Sequence, residues 1–377
     1  MSIASALGFG KKVRYAVVGL GDIAQRAMMP GIAHTGNSKL AALVSGDRFK
    51  AQEVAKRYGI DAVHTYDEYD ALLASGTIDA VYLATPNWRH AEFAIPALKA
   101  GIHVLCEKPL EVSSEHAEAI LAAQRASTAR LMVAYRLHFE PATIDAIRRI
   151  RAGEIGDLVC FSACFTQKVD PANHRAGNGV LAGPLFDMGP YPINASRYLF
   201  GDEPEEVVSA VATRLGGLGM DDTVAVTLRF PGDRLAQFTL SYAANSVDSY
   251  VIVGTEGSIA MNPGFGFGDP LTQERTVGKD KTSGSFKATD QFGGEMKYFS
   301  GCILEGRDPE PDAQEGLADL RVIEGVLRAI ETRAPVTLPP FTRSRRIDPE
   351  AQVQTLRHVT PPSLDQEVGA APPTKEG

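Results

Sequence analysis

The feature that most constrains the fold is a glycine turn near the start of the chain, Gly19-Leu20-Gly21-Asp22-Ile23-Ala24. It follows a short apolar run, Val13 to Leu20, and precedes a helical pattern from Ala24 to His34. Between a strand and a helix, such glycines permit a tight turn and admit a pyrophosphate, which outward-pointing amides at the helix start then bind. The spacing alone also occurs by chance, so its context has to support it.

The context is an alternation of strands and helices as far as Tyr135. Further strands are predicted at Lys39–Ser45, Ala80–Ala84, 102–106 and Leu131–Tyr135, and helices at Lys50–Tyr58, His90–Ala100 and 114–127. Strands separated by helices of about 10–15 residues are typical of a parallel sheet with right-handed crossovers. We therefore predict a dinucleotide-binding Rossmann domain over residues 12–136.

The pattern changes after Tyr135, where β-branched and aromatic runs recur. They predict a large, open, mostly antiparallel sheet of five or six strands, at Leu158–Thr166, Val207–Thr213, Thr223–Phe230, Leu235–Tyr242 and Tyr250–Gly254. Gly257 to Ser285 is glycine-rich and expected to be irregular, before helices at Glu295–Glu305 and Ala313–Thr332. We predict an α+β domain over residues 137–341 for substrate binding and oligomerisation, and an arm or disordered tail over 342–377.

The second sheet is also expected to hold copies of the chain together. Thr223–Phe230 and Leu235–Tyr242 carry apolar residues on both sides of the strand. Helices that cover one face of an open sheet leave the other face to be buried elsewhere. A homodimer or homotetramer through this sheet is the prediction.

Composition excludes several classes of function. The 377 residues carry a net charge of −8, which argues against a nucleic-acid partner or an anionic membrane surface. No apolar run approaches the roughly 20 residues of a spanning helix, and the start shows no export signal, so a cytoplasmic location is expected. The four cysteines fit neither a zinc site nor a disulfide framework, and Cys160 and Cys164 are expected to be buried free thiols.

A second motif, Glu107-Lys108-Pro109, ends the apolar run 102–106. Parallel strands end at the same edge of the sheet, where doubly wound folds bind their ligands. Lys108 is therefore expected over the crevice that the glycine turn borders. The combination predicts nicotinamide redox chemistry, with Lys108 facing the reacting carbon.

The end of the second strand indicates which dinucleotide binds. NAD sites place a carboxylate there to bind the ribose 2′-hydroxyl, whereas this chain has Ser45-Gly46, followed by Arg48 and Lys50. Neutral residues with cations beyond them suit a 2′-phosphate. Asp47 lies one residue late for the acidic position. We predict NADP; the alternative is that Arg48 and Lys50 are merely solvated at a helix start.

Several segments resemble the glucose–fructose oxidoreductase/inositol dehydrogenase family. They are Gly-x-Gly-x-x-Ala, Pro86-Asn87-x-x-His90, Ala100-Gly101-x-His103-Val104-x-x-Glu107-Lys108-Pro109, the run 134–141 and the run 183–204. The resemblance implies a Rossmann domain followed by an open-sheet domain, tightly held NADP, and a cis bond before Pro109. The residues expected at the cofactor are Gly19, Leu20, Gly21, Asp22, Ile23, Ser45, Gly46, Arg48, Lys50, Tyr66, Thr85, Pro86, Asn87, Trp88, His90, Glu107, Lys108 and Arg136.

The expected catalytic residues are Lys108, Asp187 and Tyr191. Many relatives have Asp-x-x-x-His where this chain has Asp187-x-x-x-Tyr191; tyrosine there resembles the sugar oxidoreductase branch and favours oxidation of an aldose at C1 to the aldonolactone. Tyr191 is the expected base, since an adjacent ammonium, Lys108, favours an ionised phenol. If the segment is helical, Asp187 and Tyr191 share a face and bind substrate together with Lys108 and Asn194. Tyr191 as a core tyrosine is the alternative, and His138 is expected to be structural.

Three functions remain open at this point. The leading hypothesis is an NADP-dependent sugar oxidoreductase, in one version reducing a second sugar without releasing its cofactor, with Trp88 and the tail as extra contacts. The second is a cofactor-releasing aldose (glucose or xylose) dehydrogenase, or an anhydrofructose-type reductase. The third is a non-catalytic NADP-binding sensor, against which the presence of both Lys108 and Tyr191 argues.

Overall fold

A computed structural model of the chain describes residues 10–173, 178–343, 345–360 and 362. Its first sheet has six parallel strands in the order β3-β2-β1-β4-β5-β6. The predicted Rossmann topology is confirmed. The strands are β1 Val13–Val18, β2 Ser38–Val44, β3 Val63–His64, β4 Ala80–Leu83, β5 His103–Glu107 and β6 Leu131–Ala134.

Helices cover both faces of this sheet, and all residues of β4 and β6 are buried. The glycine turn leads into a π-helix, Ala24–Met28, continued by α1, Met29–Ile32. The remaining helices of this part are α2 Arg48–Tyr58, α3 Tyr69–Ala74, α4 His90–Lys99 and α5 Ser114–Arg125, with 3₁₀ turns at Tyr66–Glu68 and Asn87–Arg89.

The second sheet has nine strands in the order β14-β13-β12-β11-β7-β10-β9-β8-β15. Its neighbours are antiparallel except β10 and β7, which confirms a mostly antiparallel sheet. The strands are β7 Leu158–Lys168, β8 Glu206–Thr213, β9 Thr223–Phe230, β10 Arg234–Ser241, β11 Ala243–Gly254, β12 Gly257–Met261, β13 Thr272–Val277, β14 Asp280–Ser285 and β15 Val336–Thr337.

Two sequence predictions about this sheet were wrong. It contains nine strands, not five or six, and the segment 257–285, expected to be irregular, supplies three of them. Glycine has a packing role at the start of β12, since a Cβ on Gly257 would lie 2.2 Å from the Thr276 carbonyl oxygen. A glycine can therefore mark close approach of two strands as well as a loop.

The helices of the second part divide between the two sheets. Two of them, α8 and α10, pack with the covered face of the nine-stranded sheet, whereas Phe292, Met296 and Phe299 of α9 join the core beside β1. The helices are α6 Pro141–Arg151, α7 Pro184–Asp187, α8 Pro190–Phe200, α9 Gln291–Glu305, α10 Ala313–Thr332 and α11 Pro349–Gln352, with 3₁₀ turns at Arg136–Phe139, Gly179–Ala182 and Pro231–Asp233.

The opposite face of the nine-stranded sheet, which we call the open face, has a central row of small uncharged residues, with charged side chains such as Arg229, Glu206 and Glu274 elsewhere on it. One row crosses five strands through Val211, Ala225, Thr239, Cys164 and Ser249. Val211 is 61% exposed. The half-buried thiol of Cys164 lies in this row, and Cys160 is half-buried as well, so the expectation that these two cysteines are buried was wrong.

The described part of the tail forms an arm along its own chain. Arg346 pairs with Glu203 at 2.7 Å, and the Gln354 amide donates to the Phe139 carbonyl at 2.9 Å. Further on, Arg26 donates to the Pro362 carbonyl at 3.3 Å. The arm therefore runs from the second sheet to the helix that follows the glycine turn; residues 363–377 lie outside the described structure. Among the described residues, no helix has the length and apolar character needed to span a bilayer.

Candidate active site

Lys108 lies at the carboxyl edge of the parallel sheet, immediately after β5, and the expected cis bond before Pro109 is present. Its Nζ donates to the Asp187 carbonyl at 2.8 Å and lies 3.2 Å from Asp187 Oδ1. Burial disfavours the ammonium, but the charges of Tyr191, Asp187 and Glu107 outweigh it and raise the pKa of Lys108. Lys108 is therefore a fixed cation in this crevice.

Asp187 and Tyr191 reach Lys108 from two short helices rather than one. Asp187 ends α7, and Tyr191 lies in the first turn of α8. Gly189 between them permits the break, since a Cβ there would lie 2.1 Å from the Leu185 carbonyl oxygen. The assumption of one continuous helix was wrong, although both side chains still meet Lys108.

Asp187 has a further partner that sequence reasoning missed. The Tyr242 hydroxyl donates to Asp187 Oδ2 at 2.7 Å, so the carboxylate is held on one oxygen by Lys108 and on the other by Tyr242. Tyr242 directly follows β10, and its position at the end of a predicted strand was the available clue. With both oxygens engaged, Asp187 has a fixed orientation.

Two cations lie beside the Tyr191 phenol. Lys108 Nζ is 4.9 Å from the ring centroid, and Arg136 Nη2 donates to the hydroxyl oxygen at 3.1 Å. A donated hydrogen bond from a guanidinium stabilises negative charge that develops on the phenol oxygen. This arrangement suits a group that accepts a proton.

Arg136 was expected at the cofactor, and the structure places its guanidinium against Tyr191. Besides the tyrosine it donates to the carbonyls of Phe265 and Gly266 and to the side chain of Gln291. Arg136 is buried, with 5% of its surface exposed. It ties the junction between the two sheets to the loop after β12 and to the start of α9.

Asn194 was expected to bind substrate, but its amide is turned towards buried protein groups. Its Oδ1 lies 2.6 Å from His138 Nε2, and its Nδ2 donates to Glu315 at 2.7 Å. Burial alone would lower the pKa of His138, but Glu310, 3.3 Å from its Nδ1, contributes to raising it. His138 thus belongs to an internal network, in line with its expected structural role.

Arg197 lies at the centre of that network. Its guanidinium, with none of its side chain exposed, pairs with Glu203, Glu315 and Asp319 at 2.6 Å each. Arg343, at the start of the arm, pairs with Glu315 from the other side at 3.0 Å. The network therefore joins α8, which carries Tyr191, to α10 and to the arm.

The glycine turn has the shape that a dinucleotide needs. Gly19 has a φ of +90°, and a Cβ there would lie 2.6 Å from the Ala84 carbonyl oxygen. At Gly21 a Cβ would meet no protein atom within 4 Å, so the space above the helix start is clear. The Thr85 hydroxyl nearby is buried without a hydrogen-bonding partner among the described residues. These features fit a bound pyrophosphate.

The turn after β4 is anchored from below by His90. Its Nδ1 lies 3.0 Å from the Pro109 carbonyl oxygen and its Nε2 lies 3.1 Å from that of Thr85. Asn87 in the same turn donates to the Leu181 carbonyl at 2.9 Å, which brings the second part of the chain to this edge. Trp88 is half-buried there. Through these two contacts, His90 links the turn after β4, at Thr85, to the lysine motif, at Pro109.

The segment after β2 carries the residues expected to select NADP. Ser45 is buried, and its hydroxyl accepts from the Asp47 amide at 3.1 Å. Asp47 caps α2, since its carboxylate accepts from the Lys50 amide at 3.0 Å, which gives the late acid a structural task. Arg48 pairs at 2.6 Å with Glu68. The hydrogen bond from the Thr65 amide is the largest cause, and the one from Arg48 the next, that lowers the pKa of Glu68 to about 2.

The other residues expected at the cofactor lie along the same edge. Tyr66 packs against Gly46, where a Cβ would come within 2.9 Å of its ring. Glu107 accepts from the Tyr82 hydroxyl at 2.6 Å, and Leu20 is buried. The structure thus brings the glycine turn, the β2 end, the β4 turn and the lysine motif together, as predicted. Three further expected residues lie in these segments: Asp22, which forms an ion pair with Arg26, and also Ile23 and Pro86.

Comparison with known proteins supports this architecture. Residues 13–135 match the family model described as "Oxidoreductase family, NAD-binding Rossmann fold". Residues 144–260 match the model of the GFO/IDH/MocA C-terminal domain. The predicted nicotinamide dinucleotide domain and the family resemblance are both confirmed.

Individual relatives agree over most of their length. The chain is 33% identical to a D-xylose 1-dehydrogenase [NADP(+)] of Haloarcula marismortui, over 86% of this chain and 93% of that protein. The crystal structure of aldose-aldose oxidoreductase from Caulobacter crescentus, complexed with glycerol, superposes with a TM-score of 0.82 at 32% identity, over 87% of this chain and all of that one. A 3-ketoreductase from Actinomadura kijaniata, in complex with TDP-benzene and NADP, gives 0.75 at 27% identity, over 84% and 97%. The chain belongs to the GFO/IDH/MocA family of oxidoreductases.

Proposed function

We propose that the protein is an NADP-dependent sugar oxidoreductase that oxidises an aldose at C1 to the aldonolactone. The observation that carries this proposal is the Tyr191 phenol, whose hydroxyl accepts from Arg136 and whose ring faces Lys108, at the edge of the parallel sheet that also holds the dinucleotide turn. Relatives named as a xylose 1-dehydrogenase and an aldose-aldose oxidoreductase support an aldose as the substrate.

The residues have separate tasks in this reaction. A bound nicotinamide supplies the acceptor for the hydride that leaves C1 with two electrons. Tyr191, acting as the phenolate, takes the proton of the C1 hydroxyl and becomes the neutral phenol, so that the C1–O bond becomes the carbonyl of the lactone. Lys108 donates to that oxygen, and Asp187, fixed by Lys108 and Tyr242, orients the lysine and accepts from a sugar hydroxyl. We assign the other contacts with the bound cofactor to the residues that the sequence predicts along the glycine turn, the β2 end and the turn after β4.

NADP rather than NAD is supported by the β2 end. Asp47 caps α2 and is therefore already engaged, while the neutral Ser45 occupies the position that is acidic in NAD sites. Arg48, about half exposed, keeps donors beyond its single bond to Glu68. A guanidinium can bind a carboxylate and a phosphate together because it has five donors.

Whether the cofactor leaves after each turnover separates two versions of this function. Protein purified without added cofactor should carry near-stoichiometric NADP(H) if the enzyme couples two sugars, and glucose or xylose alone should give a single burst of absorbance at the reduced-cofactor band. A second sugar should then reverse it. Continuous turnover of cofactor-free protein with external NADP⁺ would instead establish a releasing dehydrogenase. No oxidation of any aldose by either route, in protein that binds NADP, would contradict the proposal.

We also propose a homodimer or homotetramer that buries the open face. Its central row, from Val211 to Ser249, contains no charged residue. A sheet face with an accessible row of uncharged residues is usually covered by another protein surface. A second copy of the chain offers the same face and can pack against it isologously.

A further inference from the structure

A buried carboxyl group near the lysine motif has no task in the proposed reaction. Glu295 lies on α9 with none of its surface exposed. Neither of its carboxyl oxygens has a hydrogen-bonding partner among the described residues. Burial of an unpaired carboxylate costs several kcal/mol, so a group in this position gains a proton.

The charges around Glu295 come from four elements. Glu107 of β5 and Asp290, at the start of α9, repel its negative charge, and Arg136 at the domain junction attracts it. Tyr82 of β4 donates its hydroxyl hydrogen to Glu107 Oε1 at 2.6 Å, and burial, Glu107 and Glu295 together raise the pKa of this tyrosine. Asp290 is itself paired with His34 at 2.8 Å. Arg136 directs its donors at Tyr191, Gln291 and two carbonyls.

Glu295 of α9 and Glu107 of β5 lie on two elements that pack together, since Leu105, Phe292 and Met296 belong to one core; Glu295 is buried and Glu107 is half-buried. Burial and the charge of Glu107 raise the pKa of Glu295 well above its usual range. Burial also raises the pKa of Glu107, although Tyr82 and Lys108 oppose that shift. Two carboxyl groups that repel each other, one buried and one half-buried, do not both ionise readily, and their protons belong to the pair.

We propose that Glu295 is a proton-binding site linked to the redox state of the nicotinamide, through its pairing with Glu107. The inference rests on the proposed NADP-dependent function, because Glu107 directly precedes Lys108 at the edge where the nicotinamide is expected. An oxidised nicotinamide carries a positive charge and stabilises an ionised pair. A reduced nicotinamide is neutral, so the pair then retains one proton.

The sign of the effect follows from the charges. Transfer of a hydride with its two electrons from C1 of the sugar would remove the positive charge of a bound NADP⁺, and the two glutamates would then take up one proton from solvent. The sugar's hydroxyl proton leaves separately through Tyr191. Relative to NADPH, NADP⁺ therefore binds more tightly as the pH rises. The dissociation constant of NADP⁺ divided by that of NADPH falls with increasing pH.

Binding measurements without any sugar test this linkage. Dissociation constants for NADP⁺ and NADPH are measured by protein fluorescence or calorimetry from pH 5.5 to 9. Titration of the 2′-phosphate cancels in their ratio because both dinucleotides carry it. In the wild type we expect the ratio to fall with a slope of up to about tenfold per pH unit, the limit for one proton. Glu295→Gln should flatten it, and Glu118→Gln, at an exposed site on α5, should leave it unchanged.

The outcomes separate this inference from the function on which it rests. A ratio that does not change with pH in the wild type, or an equal slope in Glu295→Gln, would overturn the linkage while leaving NADP binding intact. Loss of binding of both dinucleotides to the wild type would instead contradict the proposed function. If the glutamine variant does not fold, Glu295→Met tests the same point, since an apolar side chain removes the buried carboxyl. Proton uptake on exchanging NADP⁺ for NADPH, measured in two buffers of different ionisation enthalpy, gives an independent reading.

Discussion

The two sheets of this protein solve the same burial problem in different ways. The six-stranded parallel sheet is covered on both faces, and the four residues of β4 are all buried. The nine-stranded sheet is covered on one face only, so buried positions alternate with accessible ones along β9. The difference shows in the sequence as an apolar run in one case and as alternation in the other. Both patterns predicted strands. Apolar residues were expected on both sides of β9, but its accessible positions are Thr223, Ala225, Thr227 and Arg229, of which only Ala225 is apolar.

The sheets also contribute differently to the active site. The parallel sheet supplies Lys108 directly from a strand end, whereas the second sheet supplies a platform on which α7 and α8 present Asp187 and Tyr191. Arg136 lies at the junction and contacts Tyr191. The catalytic role of the strand edge can therefore be separated from the supporting role of the platform. Substitutions at the strand edge should affect activity, and substitutions in the platform should affect stability or assembly.

The largest effect is expected at the strand edge and its partner. Lys108→Ala and Tyr191→Phe should each lower turnover by about 10²–10⁴, the range for a proton-transfer group, with NADP binding largely retained. Steady-state kinetics with an aldose, alongside a dinucleotide titration, measures both quantities. Tyr198→Phe is the matched control, because it removes a hydroxyl from the same helix, α8. Retained turnover in Tyr191→Phe would assign the base to another residue, and unfolding of both variants would make their role structural.

The next largest effect concerns the platform. Arg197→Met should lower the free energy of unfolding by about 3–5 kcal/mol, because buried Asp319 then has no cation paired with it among the described residues, while Glu203 keeps Arg346 and Glu315 keeps Arg343. Arg214→Met removes an exposed pair with Asp221 and should cost about 0–1 kcal/mol. Urea unfolding monitored by circular dichroism compares the two. Equal losses would mean that the buried network does not stabilise α8.

The contrast between the sheets also explains what the sequence could and could not predict. Local patterns sufficed for five of the six parallel strands, the glycine turn and Lys108, since each depends on residues close in the chain; the two-residue strand β3, Val63–His64, was not predicted. They failed for the segment 257–285, where glycines permit strand contact, and for the break at Gly189. Tyr242 and Glu295 were missed because their partners, Asp187 and Glu107, are distant in sequence.

A smaller effect is expected at the β2 end of the parallel sheet. Ser45→Asp should lower the affinity for NADP by about 10–100-fold and reverse or abolish the preference over NAD, since a fixed carboxylate repels the 2′-phosphate. Ser45→Ala removes the hydroxyl without adding charge and should keep the preference. Dissociation constants for both dinucleotides test this. Equal binding of NAD and NADP by the wild type would show that the assignment of this segment is wrong.

The smallest effect on the folded chain is expected on the open face. Ala225 is exposed at the centre of the uncharged row, so Ala225→Glu should change the free energy of unfolding by no more than about 0.5 kcal/mol. The same carboxylate, repeated by symmetry across an isologous contact, should dissociate the assembly into monomers. Ala119→Glu places the same charge on the exposed side of α5 and should leave the assembly intact. Light scattering at micromolar concentration distinguishes these outcomes. A monomeric wild type would contradict the proposal that the open face is buried in an assembly, because this face would then be stable in water without a partner.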